Sequence, residues 1–411
     1  IKIRASHSAG AYYGCMSLLQ ATVHSSNSNR FVVPAMQIED HPRFAWRGLM
    51  LDCSRTFLSI NFLKRMINRM SFYKLNTLHL HLTDDQGWRL QIKKYPLLTT
   101  KGAYFVSWYH EPKEFQGFYT QAQMKELVAY AQKRHITIVP EIECPGHSHA
   151  ALYAYPELSC GDKYSTHITP IFPFMSPNWD EAHKVGAVNP CKKSTYLFYK
   201  EVIKEVANIF PSPYIHMGGD EVHKDAWKNC ARCKTMADSL GIPDDTKHLQ
   251  KIIMDSVGKY VSEEGRRPIG WDEVFYEGVK KNYILQLWRS DQSIEEARAG
   301  YDLILSPNTN LYFDFGYKTT PTKKVFSFNP IPDSATTEEK NHYLGIEACF
   351  WSHIDRTEAK IDYQIFPRLL ALSERAWSAK SDTSYNDFRQ REIKQQPWLN
   401  YFKIVYNKSL F

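Results

Sequence analysis

Apolar and polar positions follow two patterns in succession along the chain. Within residues 1–39, Ile1-Lys2-Ile3-Arg4 alternates like the end of a strand, and Gly10 to Gln20 sets Tyr13, Met16 and Leu19 on one helical face. The polar run Ser25 to Asn29 reads as a loop. This segment has the pattern of the C-terminal part of a small α+β domain. From Arg43 short apolar runs alternate with amphipathic stretches. The runs predict strands at Arg47–Asp52, Thr77–Leu82, Ile136–Ile142, Tyr214–Met217, Pro268–Trp271, Ile284–Trp288, Leu303–Ser306 and Gly345–Trp351. Between them Leu63, Met66, Ile67 and Met70 share a helical face, as do Met124, Leu127, Val128 and Ala131 behind Thr120 as N-cap, and Phe198, Val202, Val206 and Ile209. Asp291 to Gly300 carries a cap signal at each end.

Such repeated strand–helix alternation specifies a parallel α/β fold. A doubly wound sheet and a (β/α)8 TIM barrel both satisfy it. The polar residues closing nearly every strand favour the barrel, whose active face is built from C-terminal strand ends. Those ends carry Asp52, Asp84, Glu141-Ile142-Glu143, Asp220-Glu221, Trp271-Asp272-Glu273, Trp288 and Trp351. The predicted organisation is therefore residues 1–39 ahead of a catalytic barrel with a C-terminal extension over 40–411. The aperiodic stretch Tyr153 to Lys193 reads as a long loop over the active face. The tail Gln395 to Phe411 reads as a last strand or as an extension packed on the barrel.

Composition narrows the function. Lys and Arg are interspersed with acids and the net charge of +7 gathers in no basic block, which argues against nucleic-acid binding. No apolar run reaches membrane-spanning length. The chain opens on Ile1 rather than Met, and the expectation is an exported protein, periplasmic or extracellular, whose signal is not visible in this chain. The aromatic share of 14% suits a carbohydrate site, although most of these rings must serve the core.

Three motifs carry chemistry. In His216-Met217-Gly218-Gly219-Asp220-Glu221 an apolar strand stops at two glycines, so that both following carboxylates can face the barrel mouth. Two adjacent acids cannot flank a sugar from opposite sides. They suit one general acid beside one carboxylate that orients a substrate group. Packing against Asp220 is expected to raise the pKa of Glu221. In Pro140-Glu141-Ile142-Glu143-Cys144-Pro145-Gly146-His147, Glu143 and His147 are candidates to anchor sugar hydroxyls or to support Glu221. In Thr77-Leu78-His79-Leu80-His81-Leu82-Thr83-Asp84, His79 and His81 fall on one face. They fit a hydrogen-bonded polar layer or, alternatively, the ligands of a metal-dependent barrel hydrolase.

Together these stretches resemble family 20 glycoside hydrolases, the β-N-acetylhexosaminidases, from Asp40 to Trp377, and residues 1–34 resemble the end of that family's small α+β domain. The likeness rests on Gly218-Gly219-Asp220-Glu221, Arg47-Gly48 before Asp52, Asp84-Asp85-Gln86-Gly87-Trp88 and Pro145-Gly146-His147. It implies a retaining exo-hydrolase of glycans ending in N-acetylglucosamine or N-acetylgalactosamine, working by substrate assistance through an oxazolinium ion and without a cofactor, with Glu221 the general acid and Asp220 the carboxylate that orients the acetamido group. It further implies that Arg47 binds hydroxyls of the terminal sugar and that Trp271, Trp288 and Trp351 wall the acetamido pocket. By the same resemblance Tyr312 bonds the acetamido carbonyl, Asp314 reaches hydroxyls on the far edge, and Asp84 and His147 give supporting contacts. A sugar-binding, non-catalytic relative is the remaining alternative.

Two positions depart from the family pattern. Trp351-Ser352-His353 has His353 where an acid usually accepts bonds from sugar hydroxyls, which raises a preference for 6-O-sulfated N-acetylglucosamine. Glu143 stands where Asp is frequent. Finally, Cys230-Ala231-Arg232-Cys233 follows the catalytic strand, with Cys160 and Cys191 in the long loop. Such a set could bind structural zinc, form two disulfides, or stay wholly or partly unpaired.

Overall fold

The computed structural model describes residues 1–24, 31–161, 167–168, 186–242, 245–276, 278–289, 294–379 and 384–408. Its centre is a closed barrel of β1 (Trp46–Asp52), β2 (Thr77–His81), β3 (Thr137–Glu141), β4 (Tyr214–His216), β5 (Arg267–Trp271), β6 (Ile284–Leu287), β7 (Asp302–Leu305) and β8 (Tyr343–Phe350). Every neighbouring pair is parallel, and β8 closes on β1 through Gly345 to Phe350 against Trp46 to Leu51. Each observed strand lies within two residues of its predicted bounds, because each apolar run ends where polar residues meet the barrel mouth.

In helix α1 (Ser8–Gln20) only Tyr13 of the predicted face is buried and Leu19 is exposed, whereas α2 (Ile60–Phe72), α3 (Gln121–Gln132) and α4 (Lys193–Ile209) follow the predicted stripes. Leu63, Met66, Ile67 and Met70 of α2, Met124, Leu127, Val128 and Ala131 of α3, and Phe198, Val202, Val206 and Ile209 of α4 are all buried. Thr120 caps α3 in a reciprocal capping box with Gln123, worth about 1 kcal/mol. The described part of the Asp291–Gly300 stretch is a short helix, Ile294–Arg298. The tail forms helices Tyr385–Ile393 and Gln396–Tyr401 rather than a strand, and Phe402 O accepts from Arg69 Nη2 at 3.2 Å. The Ser25–Asn29 reading and much of the Tyr153–Lys193 loop lie outside the described residues. Among the described residues no helix is long and apolar enough to cross a membrane.

Side chains fill the barrel in three levels. Trp46, Val139, Ile269, Ile284 and Ile304 pack together at one level. A second level is polar: His79, Glu141, His216, Gln286 and Glu347 have no exposed surface. At the C-terminal mouth Met50, Trp271, Tyr312 and Cys349 pack with Trp288 and Trp351.

Arg47 corrects one expectation. It lies at the start of β1, not near its end, and about 16 Å of strand separates it from Asp52 at roughly 3.3 Å per residue. Its guanidinium donates to Phe44 O at 2.7 Å, Lys74 O at 2.9 Å and the Tyr13 hydroxyl at 3.1 Å. It ties α1 to the N-terminal mouth and cannot touch a sugar bound at the other end.

Candidate active site

Glycine decides how β4 ends. Gly218 and Gly219 have φ of +64° and +99°, a region that costs other residues about 1–2 kcal/mol. A Cβ on Gly218 would lie 1.9 Å from Glu143 Oε2. The chain therefore turns sharply beyond His216 and delivers Asp220 and Glu221 to the barrel mouth. Glu221 itself has φ +42°, and His147, which faces it, has φ +45°.

The two acids sit at different depths. The Asp220 side chain is 13% exposed, whereas the Glu221 side chain is 55% exposed. His147 Nε2 lies 3.6 Å from both Asp220 Oδ2 and Glu221 Oε2, and its Nδ1 lies 3.1 Å from Asp84 Oδ1 and 3.6 Å from Asp85 Oδ2. Burial pushes the His147 imidazole down, but Asp84 and Asp220 outweigh it and hold the ring well above its ordinary pKa, hence cationic. The expectation for Glu221 is overturned. The His147 imidazolium, 3.6 Å away, lowers its pKa, while burial, only partly offset by His147, raises Asp220 to about 7. The deeper acid holds the proton in the ligand-free protein. Asp220 Oδ1 is buried without a hydrogen-bond partner among the described residues.

Aromatic rings pack together at the same mouth. The Trp271 and Trp351 centroids are 6.0 Å apart, Tyr312 is 6.0 Å from Trp351, and Tyr312 stacks on Trp288 at 6.4 Å. Trp271 donates its indole N–H to Glu141 Oε1 at 2.8 Å, which fixes the ring. Trp288 Nε1 and Asp314 Oδ1 are buried without a partner among the described residues, and burial raises Asp314 to about 7. Sequence reasoning had assembled these rings and Asp314 at one mouth.

It missed Arg55. Asp52 accepts from the backbone N–H of Ser54 at 2.9 Å, Arg55 at 3.0 Å and Ser352 at 3.0 Å, joining the ends of β1 and β8. The turn aims Arg55 at Asp84 Oδ2, 2.8 Å away, and over the Trp351 ring at 5.0 Å. A charged residue three places beyond a strand-ending Asp was the available signal. His353, near Arg55, is lowered to about 4 by burial and then by that cation, so its ring is neutral.

Deeper in, the His-x-His pair forms the polar layer. His79 lies 2.8 Å from Glu347 Oε1 and 3.2 Å from Glu141 Oε2, and His81 lies 2.7 Å from Asp84 Oδ2 and 2.5 Å from Glu141 Oε2. Burial lowers both imidazoles, but these carboxylates prevail and lift them to about 9 and about 10. Glu143 is buried against Gly218 beneath the dyad rather than at its rim. Burial, then Asp220 and Glu141, raise its carboxyl well above the ordinary range. Cys160, Cys191, Cys230 and Cys233 come together beside the same mouth.

A parallel barrel with a carboxyl dyad and an indole-walled recess at its C-terminal mouth belongs to the class of (β/α)8 enzyme sites. Comparison with known proteins narrows the class. Residues 44–380 match the model of the glycosyl hydrolase family 20 catalytic domain. The chain is 37% identical over 402 residues to a beta-hexosaminidase of Porphyromonas gingivalis, covering 93% of this chain and 50% of that protein. It is 34% identical over 395 residues to one of Vibrio furnissii, covering 91% and 63%. A crystal structure of a GH20 exo beta-N-acetylglucosaminidase from Vibrio harveyi in complex with N-acetylglucosamine superposes with TM-score 0.87 at 31% identity, over 98% of this chain and 65% of that one. The chain belongs to glycosyl hydrolase family 20. It spans between half and two thirds of the length of these three relatives.

The packing of Gly218 on Glu143 gives a direct test. Gly218→Ala is expected to lower the thermal unfolding midpoint through both left-handed strain and the clash. Adding Glu143→Asp, which withdraws the carboxyl, should recover part of the loss. Strict additivity in the double-mutant cycle would refute the contact.

Proposed function

We propose that this protein is a retaining exo-β-N-acetylhexosaminidase in which the substrate's own acetamido oxygen attacks the anomeric carbon. The observation that carries the reading is the buried Asp220 carboxyl, with one oxygen unpartnered among the described residues, next to Glu221 at the mouth where Trp271, Trp288, Tyr312 and Trp351 pack together. That oxygen suits the acetamido N–H. Tyr312 supplies a hydroxyl for the acetamido carbonyl, and the indoles exclude water around the group that must cyclise. Bond formation from the acetamido oxygen and cleavage of the glycosidic C–O bond give an oxazolinium ion, whose positive charge Asp220 offsets. Glu221 protonates the leaving oxygen, then takes the proton from the water that opens the ring, and configuration is retained. Holding the nucleophile in the same molecule supplies high effective molarity.

The proton starts on Asp220 and must end on Glu221. An amide N–H donated to Asp220 favours its charged form, and a sugar covering Glu221 favours the neutral form there, so substrate binding drives the transfer in the required direction. The free dyad is competent with a single shared proton.

A finer reading concerns the rim. Because His353 replaces an acid and is neutral, it offers an N–H donor and no repulsion to a 6-O-sulfate. We include tolerance of the sulfated sugar in the proposal.

Three measurements follow. Glu221→Gln should lose about 10²–10⁴-fold in kcat on glycosides with poor leaving groups and far less on activated aryl glycosides. Equal losses on both would remove Glu221 from the acid role. For poor leaving groups, kcat/KM of the wild type should fall as pH rises through about 7, where the free dyad loses its proton. His147 lowers both acids, so His147→Ala should move this limb to higher pH. A limb that stays or moves down contradicts the assignment. Turnover of a 6-sulfated aryl N-acetylglucosaminide should be measurable and should drop in His353→Glu through like-charge repulsion. A plain-only enzyme indifferent to that substitution would end the sulfate reading.

A further inference from the structure

Beside the mouth, four thiols from three chain segments converge. Cys160 follows the short helix Pro156–Leu158, Cys191 precedes α4, Cys230 caps α5 (Ala231–Ser239) and Cys233 lies in its first turn. The sulfurs of Cys160, Cys230 and Cys233 all lie within 4.8 Å of one another. Cys191 packs against the same cluster. Ala187, Trp227 and Leu249 enclose the group in a small core of its own. All eight cysteines of the chain are unbridged in this structure.

This convergence fits a metal better than two separate bridges. A tetrahedral zinc with Zn–S bonds of roughly 2.3 Å sets its sulfurs about 3.8 Å apart. Each disulfide would instead bring one pair to about 2.05 Å and leave no reason for the pairs to meet at one point. The spacing Cys230-x-x-Cys233, at a helix start, presents two ligands on one turn, as structural zinc sites do. Asn189 adds an outer contact, with Nδ2 donating to Cys230 Sγ at 3.5 Å while its Oδ1 accepts from the Cys191 backbone at 2.7 Å.

We propose that Cys160, Cys191, Cys230 and Cys233 form a closed four-thiolate site for one structural zinc ion. Binding releases the thiol protons to solvent and leaves no open coordination position, so the ion takes no part in hydrolysis. Its effect is mechanical. Val188 N–H donates to Pro145 O at 2.9 Å, Ser148 N–H to Gly186 O at 2.9 Å, and the Trp227 indole to Val188 O at 3.0 Å. A clasp on Cys191 and Cys230 thus secures the segment that braces the Pro145-Gly146-His147 turn against Asp220.

The test is metal analysis of the full chain purified without chelator, followed by cobalt titration of the protein after reduction and stripping. About one zinc per chain is expected, and cobalt should give the intense thiolate charge-transfer bands of a tetrahedral four-sulfur centre. Stripping should lower the thermal midpoint, and Cys233→Ser should lose both metal and bands while the exposed Cys15→Ser keeps them. Iron in place of zinc overturns the choice of ion. Absence of metal overturns the site, whether thiol titration in denaturant without reductant finds all eight cysteines free or finds four missing as two disulfides. Wild-type cobalt spectra decide the matter even if Cys233→Ser does not fold.

Discussion

The arrangement depends on a buried imidazolium. His147 lies between Asp84 and Asp85 on one side and Asp220 and Glu221 on the other. A lone cation at this depth would be expelled or neutralised, and four carboxylates without it would repel one another. The alternation of charge continues inward. Asp84 is shared with Arg55 and His81, His81 with Glu141, and Glu141 with His79 and His216. Acid and base alternate from the barrel's polar level to its mouth, so each buried charge meets an opposite one. Breaking such a pair by removing one partner typically costs about 3–5 kcal/mol, because the survivor is left charged and dry.

The same chain of contacts positions the aromatic recess. Glu141 is a hydrogen-bond acceptor for the Trp271 indole as well as a partner of three imidazoles, so the wall of the pocket and the charge ladder share one side chain. Arg55 plays the corresponding part at the rim, bonding Asp84 and covering Trp351. Backbone strain is also present where the charge ladder reaches the mouth: His147 and Glu221 both occupy left-handed conformations, each costing about 1–3 kcal/mol. That strain is tolerated because the polar contacts at His147 and the glycine turn before Asp220 over-determine both residues.

The barrel was legible because periodicity records burial. Apolar runs such as Ile136-Thr137-Ile138-Val139 have one plausible use, and their polar ends mark the mouth. The dyad, the three indoles, Tyr312, Asp314 and His147 could be placed at that mouth from strand ends and motif likeness together. Arg47 could not, since a motif fixes neighbours in sequence while a strand carries them about 3.3 Å apart per residue toward opposite ends of the barrel. Arg55 went unseen for the converse reason: its role depends on a turn whose geometry Asp52 creates by accepting three backbone N–H groups from two strand ends. Glu143 likewise could be assigned a carboxylate's chemistry but not its burial under Gly218.

Adjacency in sequence also says nothing about depth, and depth governs where a proton resides. Asp220 and Glu221 are chemically similar acids on consecutive residues. With its left-handed φ, Glu221 presents its side chain to solvent and to His147, while Asp220 stays buried. Desolvation then penalises charge on Asp220, while the imidazolium stabilises it on Glu221. An acid and a base are thereby separated by a few ångströms of depth rather than by residue type. A ligand that brings a hydrogen-bond donor to the inner acid and apolar cover to the outer one reverses both influences together. In the proposed mechanism the resting ionisation is thus the mirror of the working one, and the group that reverses it is also the group the site would recognise.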